Sequence, residues 1–579
     1  MFTRPALVPL ALVLAAACTP TQKPPPADTP SPPPNPAESY GEAPAPRIVP
    51  RQTLRPGERD TSRAPVSLTA SDGTGLKLAA LTARAVVEEP LAFTELRLVF
   101  ENPNDRQIEG RFEIDLPPNA AISRFAMKIG GAWQEGEVVE RRAAQVAYED
   151  FLHRKQDPAL LENKAGNSFS ARVFPIQPRE RKELIVSYSQ ELPSSAEPYR
   201  LMLRGLPELA ELDARVILRE SAPPPAGVTT SIATTAGAQR VIELRKQNWT
   251  PDQDLEVLDE RGLSLTALRH DNLAMARIAP TGETKAAPIG ALTVLFDTSA
   301  SRALGFSKQV EHLKQTLDAL RQPFSEDYDL RVVLFDQSTV EIFRGKASGF
   351  GQKQVEQIVQ RGAMGASNLE AALKAAAQDN KAPDRVLLFT DGIATAGGSE
   401  HANLEAAARS LVPLGLDRID AIIDGGIQDA EVLRQIATAE LPHNGVVLDA
   451  RLPLATLAHK LTNSTLRDIK VTVPGAAWIW PDTLTGLQPG DEALVYADLP
   501  ETAAMRVILE GEDRIDMTVP TTNVERPLLE RAWVGARIER LTSLRSAAPL
   551  TDTDTRSAYF KQIVDLSTRF RVLSDFTAL

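Results

Sequence analysis

Cysteine is almost absent: the 579 residues contain one, Cys18, so the chain beyond it holds no internal disulfide. Histidine is scarce too. The six that occur form no H-E-x-x-H or similarly spaced cluster, which counts against a histidine-held hydrolytic metal centre. A basic excess is missing. The net charge is −12, and without a cationic stripe to offset it the composition argues against a nucleic-acid partner. Neither a G-x-S-x-G elbow with triad partners nor a phosphate-cradling G-x-x-x-x-G-K-[ST] loop occurs. What is present is an ordinary globular share of hydrophobic residues, 43%, far too high for a disordered chain. The length implies several domains.

The first eighteen residues, "MFTRPALVPLALVLAAAC", place one early cation, Arg4, before an apolar stretch and then small residues. That is the pattern of a secretory leader, too short to span a bilayer comfortably. Its "AAAC" end resembles a bacterial lipobox, with Ala15 where Leu is usual, and the resemblance implies lipidation of Cys18. The expected location is the cell envelope, lipid-anchored at the outer membrane or periplasmic face. A secreted form is the alternative. Residues 19–60 follow as a proline-dense tether, extended and without a core.

Residues 61–195 read as an antiparallel β-rich domain. Leu96, Leu98 and Phe100 alternate with residues of the opposite face, and Phe112, Ile114 and Leu116 do the same after the "ENPND" turn. Two such strands joined by an Asn-Pro turn suggest neighbours in one sheet with one face buried. "VVERRAAQVAYEDFLHRK" reads as a helical interruption. The stretches "FENPNDRQIEGRFEIDLPPNAAISRFAMKIGG", "ERRAAQVAYEDFL", "LLENKAGNSFSARVFPIQP" and "VSYSQEL" resemble, in order, the VIT domain shared by the inter-alpha-trypsin inhibitor heavy chains and bacterial relatives. No catalytic role comes with that resemblance. The covalent matrix attachment of those heavy chains uses an Asp-Pro-His segment that this chain lacks.

Residues 196–287 read as a β-rich connector packed beside the next domain. Residues 288–465 alternate strands, "ALTVLFD", "DLRVVLFD", "DRVLLFTD", "LDRIDAIID" and "NGVVLDA", with amphipathic helices. On one of these helices Val310, Leu313, Leu317 and Leu320 form a stripe. This is the pattern of a doubly wound, mostly parallel α/β domain, whose ligands bind beyond the carboxyl ends of the strands. Residues 466–525 are a further β-rich segment expected to pack with the connector, and 526–579 a helical end in which Ile538, Leu541 and Leu544 keep helical spacing. The fold class is therefore multidomain α+β.

Within the α/β domain, Asp297, Ser299 and Ser301 stand two apart at a strand end, so all three can face one point. A carboxylate with hydroxyls is an all-oxygen set suited to a hard divalent cation, and Mg²⁺ tolerates waters in several of its six positions. Ser367 at a helix start after a Gly-rich loop and Asp391 at another strand end are the further donors. Together "DTSAS", Ser367 and "TDG" resemble the metal-ion-dependent adhesion site of von Willebrand factor type A domains. The resemblance implies that Asp297, Ser299, Ser301, Ser367 and Asp391 hold Mg²⁺, or Mn²⁺ or Ca²⁺ in its place. It also implies an open position that a partner protein's Asp or Glu completes. Ser367 stands where that family mostly has Thr. Arg302 either repels a cation or reaches toward an incoming carboxylate. Simpler readings exist: Ser367 with Glu370 makes a capping box, and Asp391-Gly392 a turn. A metal-dependent hydrolase is the rival function, but an aspartate-nucleophile phosphatase needs a carboxylate where Ser299 stands. A metal-free envelope scaffold is the third.

Overall fold

The computed structural model describes residues 64–579 except 71–72, 142–143, 145–158, 220–233, 237–238, 258–264, 322–326, 378–380, 399 and 550. The leader, Cys18, the tether and most of the helix expected over 138–155 lie outside the described residues. No helix among the described residues is long and apolar enough to cross a membrane.

The first β-unit is a sandwich. Its larger sheet runs, in spatial order, Thr234–Ala236, Gln239–Trp249, Leu209–Arg219, Lys77–Glu88, Leu91–Glu101, Arg181–Glu191, Ala120–Ile129 and Ala132–Glu135. Its smaller sheet runs Val66–Ala70, Ile108–Asp115, Ser168–Ile176 and Ala159–Ala165. Period-two burial makes the inner faces: Leu96, Leu98 and Phe100 from one sheet meet Phe112 and Ile114 from the other, with the Phe100 and Phe112 rings 6.2 Å apart edge to face.

Two expectations need correction here. The strands on either side of "ENPND" are not neighbours, because Leu91–Glu101 and Ile108–Asp115 belong to opposite sheets. Buried Asn102 ties the crossing down, donating to Gln177 O at 2.9 Å and Arg106 O at 3.0 Å. The connector, moreover, is divided between two β-units. Leu209–Arg219 pairs in parallel with Lys77–Glu88, since Leu212, Ala214, Val216 and Leu218 continue the apolar face of the first sandwich.

The last strands of the connector, Thr266–His270 and Leu273–Ile278, join strands from beyond the α/β unit. The five-stranded sheet runs Trp478–Trp480, Ala493–Asp498, Leu273–Ile278, Thr266–His270 and Thr521–Asn523. It faces a second sheet of Thr483–Leu484, Ile469–Thr472, Met505–Glu510 and Arg514–Val519 across a core of Ala276, Ile278, Val471, Val495 and Val507.

In the α/β unit, β1 is Ala291–Asp297, α1 Phe306–Arg321, β2 Asp329–Phe335, β3 Thr339–Lys346, α2 Gln352–Arg361 and α3 Leu369–Ala376. β4 is Arg385–Thr390, α4 His401–Arg409, β5 Arg418–Ile423, α5 Ala430–Ala437, β6 Val447–Asp449 and α6 Leu454–Leu461. The sheet order is β3-β2-β1-β4-β5-β6, parallel except for β3. One apolar core joins β1 and β2 to Val310, Leu313, Leu317, Val355 and Leu457; another covers the opposite face with Leu369, Leu373, Leu404 and Leu433. Burial on both faces is why these strands read as unbroken apolar runs. The chain leaves β1 toward β2 and β3, then returns to β4 on the other side. The topological switch point therefore lies between the carboxyl ends of β1 and β4. Beyond this unit α7, Arg526–Ala547, packs on the second β-unit, and α8, Thr553–Phe570, lies against α7.

A candidate cation site at the switch point

Asp297 ends β1 and is buried. Register places Phe296 opposite Phe389, so the next residue along β4, Thr390, sits beside Asp297. Its carboxylate collects donors from three segments: the Ser299 amide at 2.8 Å, the Thr390 hydroxyl at 2.7 Å and the Ser367 hydroxyl at 3.2 Å. The Ser299 and Ser301 hydroxyls are 3.0 Å apart. Asp391 follows β4, accepts the Ile393 amide at 2.9 Å, and lies close enough to Asp297 for the two charges to interact. Burial first, and the neighbouring Asp297 second, push Asp391 up to about 6; Arg302 and the facing Ser301 hydroxyl pull the other way. All five residues singled out in the sequence thus gather in one cluster.

Their exposure is uneven. Asp297, Ser299, Ser367 and Asp391 are at most 2% exposed, whereas Ser301 is exposed. The cluster therefore meets solvent at the Ser301 end. Gly392 allows the turn after Asp391: its φ is +81°, and a Cβ there would come within 2.4 Å of Asp429 O.

The capping reading of Ser367 does not describe this fold. Asn368 caps α3, accepting the Ala371 amide at 3.0 Å, and Glu370 accepts the Gly398 amide instead. Asn368→Ala is expected to cost about 1 kcal/mol of stability, the usual loss of an N-cap. Ser367→Ala should cost less than that while removing an oxygen from the cluster. Chemical denaturation of the two variants side by side checks it.

Of the two expectations for Arg302, the reach toward an incoming carboxylate does not hold, whereas its charge does bear on the cluster through Asp391. It is fully buried. One guanidinium nitrogen donates to Asp424 O and another lies 3.6 Å from the Asp424 carboxylate. It neither faces solvent nor reaches for an incoming ligand. It backs Asp391 from inside.

Two contributors escaped the sequence reading. Thr390 was visible within "TDG", but its role needs the β1–β4 register. Asp424 follows β5 and carried no motif at all. Among the described residues no group of three or more His, Cys, Asp or Glu converges on one point. A cation here would be held by two carboxylates, hydroxyls and water, a donor set that fits a small hard dication.

Fold and site define a chain in which a largely antiparallel β-sandwich precedes a doubly wound α/β unit with an oxygen cluster at its switch point. Residues 78–188 match the family model described as the vault protein inter-alpha-trypsin (VIT) domain, so the VIT resemblance drawn from "FENPND" onward holds there. No curated protein matches the chain. Among solved structures, "von Willebrand factor type A from Catenulispora acidiphila" is similar at 17% identity and TM-score 0.28, over 53% of this chain and 84% of that one. The "ArnB paralog VWA2 from Sulfolobus acidocaldarius" shares 12% identity over 53% and 90% of the two chains, at TM-score 0.25. The "manganese-loaded Plasmodium vivax TRAP protein" shares 16% identity over 39% and 98%, also at TM-score 0.25.

Proposed function

We propose that this chain is a non-enzymatic interaction module of the cell envelope, in which Asp297, Ser299, Ser301, Ser367 and Asp391 hold one divalent cation, Mg²⁺ or its substitutes Mn²⁺ and Ca²⁺. When bound, the cation supplies a positive centre to which a partner protein's Asp or Glu adds a charge-assisted bond. The observation that carries the reading is the pair of buried carboxylates, Asp297 and Asp391, side by side beneath a hydroxyl rim that meets solvent at Ser301. Two like charges out of water disfavour one another. A dication between them and their hydroxyls relieves that cost. Anchorage through a lipid on Cys18 is the part of the proposal supported by the leader sequence alone.

The rim supports a protein as the partner. Met364 and Leu304 are the most exposed large apolar side chains among the described residues, at 51% and 50%. Leu304 lies just beyond Ser301, and the Met364 amide donates to Thr298 O at 2.8 Å. Apolar groups beside a charged centre match the anchor-and-rim make-up of protein interfaces.

Calorimetric titration of the full chain with Mn²⁺ and Mg²⁺ tests the site. Saturation near one equivalent supports it, and a flat trace overturns it. Crosslinking in intact cells with and without a chelator tests the function, since bands lost on chelation are the partner. The double variant Leu304→Ser, Met364→Ser is expected to bind Mn²⁺ as wild type does while losing most of the chelator-sensitive crosslinks. Turnover of generic phosphate or ester substrates that depends on Mg²⁺ and on Asp297 would replace the binding reading with the hydrolase.

A further inference from the structure

A short loop of the first β-unit reaches the segments behind the candidate site. The turn between Ala159–Ala165 and Ser168–Ile176 carries Gly166 and Asn167. Asn167 binds the loop that follows β5 three times. Its amide donates to Gln428 O at 3.1 Å, its side chain accepts the Gln428 amide at 2.7 Å, and the same side chain donates to Gly426 O at 3.3 Å. It is also fixed to its own sandwich, donating to Leu116 O at 2.6 Å. Gly166 approaches closely. Its φ is +51°, and a Cβ there would lie 2.1 Å from Gln428 O and 3.0 Å from the Ile393 side chain.

The loop so gripped, Asp424 to Asp429, is the back wall of the cluster. The Asp424 amide donates to Thr390 O at 3.3 Å, and the Asp429 amide donates to Asp391 O at 2.8 Å. Asp424 receives the buried Arg302, and Gly425 packs against the Asp391 side chain, where an added Cβ would come within 3.4 Å. Ile393, touched by the same turn, donates its amide to the Asp391 carboxylate. Both flanks of Asp391 therefore lie against the tip of the VIT-matched sandwich.

We infer that Asn167 is a positioning residue: the VIT-matched β-unit, through Asn167 and Gly166, holds the Asp424–Asp429 loop against Arg302 and Asp391 and thereby sets how tightly the α/β unit takes its cation. This rests on the proposed cation site and adds its control. Linkage makes the effect reciprocal, so cation uptake also steadies the Asn167 contact. A partner or a force that pulls the two units apart then loosens the cation.

The test uses the full chain titrated with Mn²⁺, together with amide hydrogen exchange without metal. Asn167→Ala and Gly166→Ala are each expected to weaken Mn²⁺ about tenfold, within the usual span of coupling between sites. Arg124→Ala, which removes ion pairs to Glu95 and Glu135 elsewhere on the same sandwich, should bind as wild type does. Without metal, Asn167→Ala should speed exchange of the Gln428 and Asp429 amides about tenfold and leave those of β1 unchanged. Wild-type affinity and wild-type exchange in Asn167→Ala and Gly166→Ala overturn the inference while leaving the site intact. A wild-type chain that takes up no Mn²⁺ overturns the site and the inference together.

Discussion

Asp420→Ala is expected to cost the α/β unit about 3–5 kcal/mol. Asp420, on β5, is buried between two buried arginines. It meets Arg385 at 2.5 Å and Arg418 at 2.7 Å, and its carboxylate also accepts the Val446 amide at 3.0 Å. The guanidinium groups continue to Leu461 O and Asn463 O at 2.9 and 2.7 Å, tying the amino-terminal ends of β4 and β5 to the end of α6. One carboxylate thus balances two cations away from water. Its removal leaves two uncompensated like charges, which is far dearer than losing a surface pair. Asp420→Asn keeps an acceptor for Val446 and should be less damaging.

The pH dependence has a definite sign. Burial alone would raise the Asp420 carboxyl, but Arg418 and Arg385 prevail and hold it below the usual carboxylate range. Its stabilisation is therefore full above the unfolded value of about 3.9 and fades as pH falls through the lower folded value. The difference between wild type and variant, from urea unfolding at a series of pH values, should stay flat from pH 8 to about 4.5 and shrink only below about 4. A difference under about 1 kcal/mol at pH 7 would remove the buried triad from the account of stability.

The second large effect has opposite signs for binding and for stability. Asp297→Asn should lower Mn²⁺ affinity at least about 100-fold, since it removes one of two charges facing the cation in a site shielded from water. Cation-free stability should be equal to wild type or higher. The amide oxygen still accepts the Ser299 amide, the Ser367 and Thr390 hydroxyls can turn to meet the new amide group, and the repulsion with Asp391 is gone. Calorimetric titration and thermal unfolding in chelator measure the two halves. A variant that keeps the affinity ends the candidate site. One that melts well below wild type while losing affinity would show a residue needed for folding rather than one held in reserve for a ligand.

Sequence was informative wherever the physics is local. Spacing by two puts Asp297, Ser299 and Ser301 at one strand end. The stripe Val310, Leu313, Leu317, Leu320 announces a helix, and each of its members is buried. Edge strand β3 is harder to read because its residues are largely exposed and its apolar signal is short, Val340, Ile342 and Phe343 amid polar neighbours. The partner of a strand is not local either. Alternation around "ENPND" told correctly which side chains turn inward, yet the same alternation serves two strands side by side or face to face. Only the assembled sandwich, with Phe100 against Phe112, chose the second.

By itself the amino-acid order determined the kinds of unit, their succession, and the five oxygen-bearing side chains worth watching, because periodicity and residue chemistry act over a few neighbouring positions. Tertiary structure alone decided that Thr390 stands beside Asp297, that Arg302 turns inward to Asp424, and that Asn167 grips a loop 259 residues further along. Those contacts depend on which surfaces are left complementary once each unit has buried its own apolar face. No stretch of chain carries that information alone.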